Sequence, residues 1–144
     1  MPLSQTQHGP WALITGASAG LGAEYARQIA AKGLNTILVA RRRDRLKQMA
    51  TEIRDVHGVK TRVVEADLTA NAGCQRVIGQ TGDLEVGLLV NNAGYGMSGY
   101  YHNLDPDKQT KMVVLNCVVP VLLTNHYLPL MIERKRGGLI FLAS

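Results

Sequence analysis

A glycine-rich segment near the N-terminus carries the clearest chemical signal in the sequence. Residues 15–22 are Thr-Gly-Ala-Ser-Ala-Gly-Leu-Gly, between a short apolar run and a stretch whose apolar residues recur at helical spacing. Glycines in such a turn let the backbone approach a phosphate, and the helix that follows offers free N–H groups and the positive end of its dipole. The segment therefore predicts a dinucleotide pyrophosphate site, with a plain structural turn as the alternative.

The end of the second apolar run indicates which dinucleotide would fit. A site for NAD usually places a carboxylate there, to accept a hydrogen bond from the ribose 2′-hydroxyl. Here the run ends Val39-Ala40-Arg41-Arg42 and offers a guanidinium instead of an acid. A guanidinium can form charge-assisted, bidentate hydrogen bonds to a phosphate. We therefore predict NADP as the cofactor, with Arg41 at its 2′-phosphate and plain surface charge as the alternative.

Alternating strands and helices must hold these residues in place. The apolar runs are continuous, without polar alternation, and amphipathic helical patterns separate them. That arrangement predicts an α/β fold, a Rossmann-type doubly wound parallel sheet with helices on both faces. The predicted strands are 11–14, 36–39, 61–65, 86–90 and 139–142. The predicted helices are 21–33, 46–58, 70–80 and 106–134, with Leu21 and Val56 on core-facing sides and a kink at Pro120.

Three motifs stand in a familiar order on these elements. They are Thr-Gly-x-x-x-Gly-x-Gly at 15–22, Asp67-Leu68 after the third strand, and Asn91-Asn92-Ala93-Gly94 at the end of the fourth. On these residues the sequence resembles the short-chain dehydrogenase/reductase family, in its NADP-preferring branch, over residues 10–144. The resemblance implies the strand order 3-2-1-4-5, with the cofactor across the carboxyl ends of the strands.

The resemblance also implies a role for each matching residue. Ser18 would bond a phosphate, Asp67 would accept a hydrogen bond from the adenine amino group, and Asn91 would help line the adenosine ribose. Asn91 and Asn92 could instead mainly tie strands together. The predicted cofactor-binding residues are Gly16, Ser18, Gly20, Leu21, Gly22, Arg41, Asp67, Leu68, Asn91, Ala93 and Gly94.

Two residues match the family's catalytic set. The resemblance implies that Asn116 holds a water in a proton relay and that Ser144 orients the substrate carbonyl. A lone Asn in an apolar helix is also typical of a satisfied structural polar group. The family's Tyr-x-x-x-Lys is expected beyond Ser144, because none of the five tyrosines has a lysine four positions later. We therefore expect a chain truncated after the fifth strand, which binds NADP but does not turn over a carbonyl or alcohol substrate.

Composition narrows the class of protein. A hydrophobic fraction of 46% and a charged fraction of 19% are typical of a globular domain. The net charge of +5 lies largely in the run 41–47. A solvated helix face explains that run, and no interleaved aromatic residues support a nucleic-acid patch. We therefore expect a small-molecule substrate and no nucleic-acid partner.

The remaining features concern location and assembly. Residues 1–9 are a polar arm without the apolar core of a secretion signal, and the apolar stretch 112–123 is too short to span a bilayer. Cys74 and Cys117 form no disulfide framework, and neither they nor the histidines have metal-ligand spacing. We expect a cytoplasmic protein without a metal or a membrane span. The family resemblance implies a homo-oligomer through the helix Pro106–Leu130.

Three hypotheses on function stay open at this stage. The first is the front portion of an NADP-dependent oxidoreductase acting on a carbonyl or alcohol. The second is a non-catalytic NADP-binding module or sensor, and the third is a basic domain that binds nucleic acid. Binding to DNA without affinity for NADPH would favour the third.

Overall fold

A five-stranded parallel sheet forms the centre of the computed structural model, which describes residues 2–143. Its order is β3-β2-β1-β4-β5, so the predicted order 3-2-1-4-5 is confirmed. The strands are β1 (Trp11–Thr15), β2 (Asn35–Ala40), β3 (Thr61–Glu65), β4 (Val86–Asn91) and β5 (Gly138–Phe141).

Helices cover both faces of the sheet. They are α1 (Gln5–His8), α2 (Gly20–Ala31), α3 (Arg43–His57), α4 (Gly73–Thr81), α5 (Pro106–Val113) and α6 (Val119–Glu133). A 3₁₀ turn at Tyr101–Asn103 precedes α5, and a π-helical turn at Val114–Val118 joins α5 to α6.

Neighbouring residues of the central strands supply two separate cores. Successive side chains of a strand point to opposite faces. Ile14 and Leu38 therefore pack with the helices α2 and α3, while Leu13 and Ile37 pack with α4 and α6. Because both faces are covered, β1, β2 and β4 are almost wholly buried. This double burial is why the sequence shows continuous apolar runs.

The long helix that carries Asn116 widens where the sequence predicts a kink. Pro120 has no N–H to donate to the carbonyl of Asn116, four residues earlier. At this place the helix forms the π turn, in which the Val119 N–H donates to the Val114 carbonyl. The helix continues as α6 after this local widening. Asp105 caps the start of α5 ahead of Pro106, where its side chain accepts from the Asp107 and Lys108 N–H groups.

This same helix alters the expectation about membranes. The apolar stretch 112–123 is short, but the whole helix Pro106–Glu133 has 28 residues and is long and apolar enough to cross a bilayer by length and composition. In the fold it lies along the sheet, with Val119, Leu123 and Tyr127 buried. Most of its remaining surface is exposed.

Some boundaries and faces differ from those predicted. The third predicted helix was expected from Ala70, but a turn occupies that place. The corresponding helix α4 starts at Gly73, because the Gly73 N–H donates to the Ala70 carbonyl. Leu21 and Val56 are exposed, each in a terminal turn of its helix. The polar arm 1–9 contains the short helix α1, whose His8 is buried.

Candidate functional site

The glycine-rich turn joins β1 to α2 with little space to spare. Gly16 has a φ of +69°, which favours glycine, and a Cβ there would lie 2.7 Å from the Asn92 amide nitrogen. Ala17 is buried, and its N–H donates to the Val39 carbonyl of β2. Ala19, at the start of α2, makes no side-chain capping bond. The first N–H groups of α2 are therefore left to an anion or to water.

Thr15 and Asn92 fasten the ends of β1 and β4 together. The Thr15 hydroxyl donates to the Val90 carbonyl at 3.3 Å and accepts from the N–H groups of Asn92 and Ala93, both at 3.0 Å. The Asn92 amide donates to the Thr15 carbonyl at 2.9 Å. Neither residue was among the predicted site residues. The signal for Thr15 was a hydroxyl at the end of a buried strand, directly before the turn.

The sequence left open that Asn91 and Asn92 tie strands together; Asn92 does so, whereas Asn91 ties a strand to a helix. Its amide donates to the Thr124 hydroxyl of α6 at 3.3 Å, and its side chain is buried. Asn91 therefore links β4 to α6, while Asn92 holds the glycine turn. Asn91 also lines a cleft, and its predicted contact with a ribose stays a prediction.

Two arginines follow β2 at the mouth of this site. Arg41 is exposed and lines a cleft, as its predicted role requires. Arg42 lines the same cleft and donates to the Ser18 hydroxyl at 3.3 Å, so it links the glycine turn to the end of β2. The sequence argument rested on Arg41 and passed over Arg42. The run of three arginines at 41–43 was the signal that could have found it.

Asp67 holds its charge in a turn after β3. Its Oδ1 accepts from the Thr69 hydroxyl at 2.7 Å and from the Thr69 N–H at 2.9 Å. These hydrogen bonds, with the positive charges of Arg41 and Lys111, outweigh desolvation and lower the pKa of Asp67. The ionised carboxylate can accept a hydrogen bond from an amino group in the cleft.

The carboxyl ends of the strands open into a first cleft of about 520 Å³. It brings together the predicted residues Gly16, Ser18, Arg41, Asp67, Leu68, Ala93 and Gly94. Side chains that the sequence did not single out complete its walls, namely Arg42, Thr69, Met97, Lys108, Lys111 and Leu115.

A second cleft of about 690 Å³ lies beyond the glycine turn. It is lined by Leu21, Asn91 and Asn116 among the predicted residues, together with Cys117, Pro120 and Phe141. Gly16, Ala93 and Gly94 line both clefts. Gly20 and Gly22 shape the turn between them, so an elongated ligand can pass from one cleft to the other over the start of α2.

Asn116 has partners at both ends of its side chain. Its amide nitrogen donates to the Tyr95 carbonyl at 2.9 Å, and its Oδ1 accepts from the Tyr95 N–H at 3.1 Å. The side chain is half-buried and ties the loop after β4 to the π turn. The predicted water relay at Asn116 stays a prediction. Ser144 lies outside the described residues.

The site as a whole combines three chemical functions. The start of α2 can bind a pyrophosphate, the arginines after β2 can bind a phosphate monoester, and Asp67 can accept from an amino group. The second cleft places the π turn of Asn116 beside the end of β5, through Pro120 and Phe141. Together these groups fit an adenine dinucleotide that lies across the carboxyl ends of the strands.

Comparison with known proteins agrees with this geometry. The family model described as short chain dehydrogenase matches residues 10–144. The human protein named "Inactive hydroxysteroid dehydrogenase-like protein 1" is 35% identical over 141 residues, which are 96% of this chain and 43% of that protein. The human "Very-long-chain 3-oxoacyl-CoA reductase" is 32% identical over 140 residues, covering 94% of this chain and 45% of that protein.

Solved structures show the same arrangement. A short-chain dehydrogenase from Sphingobium yanoikuyae in complex with NADPH superimposes with a TM-score of 0.89 at 34% identity, covering 94% of this chain and 54% of that one. An L-sorbose reductase from Gluconobacter frateurii complexed with NADPH and L-sorbose gives a TM-score of 0.86 at 30% identity, covering 93% of this chain and 52% of that one. This chain thus spans about half the length of the proteins that it matches.

Proposed function

This chain belongs to the short-chain dehydrogenase family of oxidoreductases, and on that basis we propose that it binds NADP(H) across its two clefts. The cofactor would serve hydride transfer to or from a carbonyl or alcohol substrate. Several functions in the family share the fold, so the choice of NADP must come from the residues of the site.

The observation that carries this proposal is the pair of arginines after β2. Arg41 and Arg42 line the first cleft at the place where an NAD site usually has a carboxylate. Two guanidinium groups favour a phosphate monoester over a hydroxyl, because they form charge-assisted hydrogen bonds with it. The NADPH complexes among the similar solved structures support the same choice.

Each part of the site then has a task. The N–H groups at the start of α2 would bind the pyrophosphate, and Ser18, held by Arg42, would add a hydroxyl donor beside it. Asp67 would orient the adenine through its amino group. Leu21 and the π turn of Asn116 would border the nicotinamide in the second cleft. NADPH supplies the hydride, and the protein supplies position and charge.

Cofactor preference tests the proposal. We expect the chain to bind NADPH at least tenfold more tightly than NADH, a difference of about 1.4 kcal/mol. The double variant Ala40→Asp/Arg41→Gln should lose most of its NADPH affinity and keep that for NADH, because a carboxylate repels the 2′-phosphate. Isothermal titration calorimetry with both cofactors measures this.

The matched control is Arg45→Gln, which removes a charge from the same basic run outside the first cleft. It should leave both affinities unchanged. Equal losses for NADPH and NADH in the double variant would refute the assignment of the 2′-phosphate to this place.

A second candidate function is a non-catalytic NADP-binding module or sensor. It is favoured by the similarity to a relative named as inactive. We expect this chain to bind NADPH without carbonyl-dependent oxidation of it, and measurable oxidation would overturn that expectation. A coding sequence that continues past Ser144 into a Tyr-x-x-x-Lys would favour the enzyme.

A further inference from the structure

The first cleft has a second cationic wall, opposite the arginines. Lys108 and Lys111 stand three positions apart on α5 and therefore share a face of that helix. Both line the cleft that Arg41 and Asp67 also line. Both side chains are exposed, and neither forms an ion pair with a carboxylate within residues 2–143.

The balance of charge in this cleft points to an anionic ligand. Four cationic side chains, those of Arg41, Arg42, Lys108 and Lys111, line it together with the single carboxylate of Asp67. Like charges gathered around one cleft repel one another, and an anion between them relieves that repulsion. The charge of Lys111 reaches Asp67, as does that of Arg41, so both walls act on the same part of the cleft.

The chemistry of the ligand narrows which anion this is. Adenine and ribose are neutral, and the start of α2 already provides for the pyrophosphate. The 2′-phosphate carries a charge of about −1.5 to −2 near neutral pH and is the remaining anion at this end of NADP. Two arginines alone would balance it. The lysines would add a long-range attraction from the other wall.

Hydrogen bonds fix the lysine wall to the rest of the site. The Tyr95 hydroxyl donates to the Lys108 carbonyl at 2.8 Å, while Asn116 holds the Tyr95 backbone at both its N–H and its carbonyl. Asp105 Oδ1 accepts from the Asp107 N–H at 2.9 Å at the start of α5. The backbone under both lysines is thus held in place, and only their flexible side chains need to adjust to a ligand.

We infer that Lys108 and Lys111 are specificity-determining residues, which select NADP over NAD by attracting the 2′-phosphate from the wall opposite Arg41 and Arg42. The inference rests on the proposed function, because it requires NADP in the first cleft. It extends the selection from the end of β2 to a helix on the far side of the adenosine.

Adenosine 2′,5′-bisphosphate and AMP isolate this end of the cofactor. Calorimetry on the 144-residue chain would compare the wild type with Lys108→Met, Lys111→Met and the double variant, which keep an apolar side chain and remove the charge. We expect each single change to weaken binding of the bisphosphate by about fivefold and to leave AMP binding nearly unchanged. Lys111→Arg should restore the bisphosphate affinity, and the losses should shrink at high salt.

Lys60→Met is the matched control, because Lys60 precedes β3 at the amino ends of the strands, away from the cleft. It should change neither affinity. Retained AMP binding shows that each variant is folded.

The possible outcomes separate this inference from the proposed function. A wild type that binds both ligands equally would overturn the NADP assignment, and the lysine role with it. A wild type that prefers the bisphosphate, alongside a double variant with the same preference, would overturn the lysine role alone. Equal losses for both ligands would also overturn it, since they would show that the lysines contact the adenine or the 5′-phosphate.

Discussion

At the scale of single residues, the proposed NADP site brings together two groups that titrate in different ranges of pH. Hydrogen bonds from Thr69, with the charges of Arg41 and Lys111, lower the pKa of Asp67 below its ordinary value of 3.8. A carboxylate with a lowered pKa stabilises the fold above its unfolded pKa and loses that contribution only as the pH falls through its folded pKa. Asp67 is therefore ionised throughout the neutral and mildly acidic range. The 2′-phosphate of NADP, in contrast, gains a proton near pH 6.

This difference predicts how cofactor preference depends on pH. As the pH falls from about 7.5 to about 5.5, the affinity for NADP⁺ should decrease, because the 2′-phosphate loses one of its charges. The affinity for NAD⁺ should stay level, since Asp67 remains ionised and NAD⁺ has no phosphate monoester. Calorimetric titrations of both cofactors across this range measure the ratio. A parallel decrease for NAD⁺ would assign the effect to a group of the protein instead.

The residue scale is also where sequence reasoning reached its limit. The predicted residues Gly16, Ser18, Arg41 and Asp67 all line the first cleft, and their roles toward a cofactor stay predictions. The sequence reasoning passed over Arg42 and the Thr15 hydroxyl, whose hydrogen bonds depend on neighbours far along the chain. The Thr15 hydroxyl, for example, bonds residues 75 to 78 positions later.

At the scale of elements, the apolar pattern predicted the buried strands and missed features that depend on particular hydrogen bonds. The strands β1, β2 and β4 were predicted to within one residue at each end, because their burial leaves a continuous apolar run. The start of α4 follows a turn in which the Gly73 N–H donates to the Ala70 carbonyl. The π turn coincides with the contact between Asn116 and Tyr95, 21 residues earlier. Pro120 marks the place of the π turn in the sequence, but no local pattern marks its contact with Tyr95 or the later start of α4.

The contact between the loop after β4 and the π turn can be tested with a pair of glycines. A Cβ on Gly94 would lie 2.8 Å from the Asn116 Oδ1, whereas a Cβ on Gly96 would meet no atom within 4 Å. Gly94→Ala should therefore push the loop off the helix and lower the free energy of unfolding by about 1–3 kcal/mol. Urea unfolding followed by circular dichroism measures this loss.

Gly96→Ala is the control two positions away in the same loop. It should leave the free energy of unfolding unchanged, or raise it by up to about 1 kcal/mol through the lower entropy of the unfolded chain. Similar losses in the two variants would mean that the loop, and not its contact with Asn116, sets the stability.

At the scale of the whole molecule, one apolar surface is packed neither against the sheet nor in the two cores. The helix Pro106–Glu133 exposes a set of large apolar side chains, Val113, Val118, Val121, Leu122, Leu130 and Ile132. A contiguous apolar surface on a soluble domain typically marks an interaction site. The sequence predicted a homo-oligomer through this helix from the family resemblance alone, and both that assembly and the cytoplasmic location stay predictions.

We propose that this face joins two copies of the chain, and a charge at its centre tests the proposal. Val118, Val121 and Leu122 are neighbours at helical spacing. In a twofold interface, Leu122→Lys places two like charges close together and buries them without partners. Sedimentation velocity should therefore show a dimer for the wild type and a monomer for the variant at the same concentration.

A control variant and the other possible interfaces decide how the result is interpreted. Val56→Lys changes another exposed apolar residue, on α3, which packs on the other face of the sheet, and it should leave the dimer intact. The sheet has two edge strands among the described residues, β3 and β5, and either edge is another place where two copies could join. A dimer that persists in Leu122→Lys would overturn the helix interface. A dimer lost in Leu122→Lys and kept in Val56→Lys assigns it to the helix.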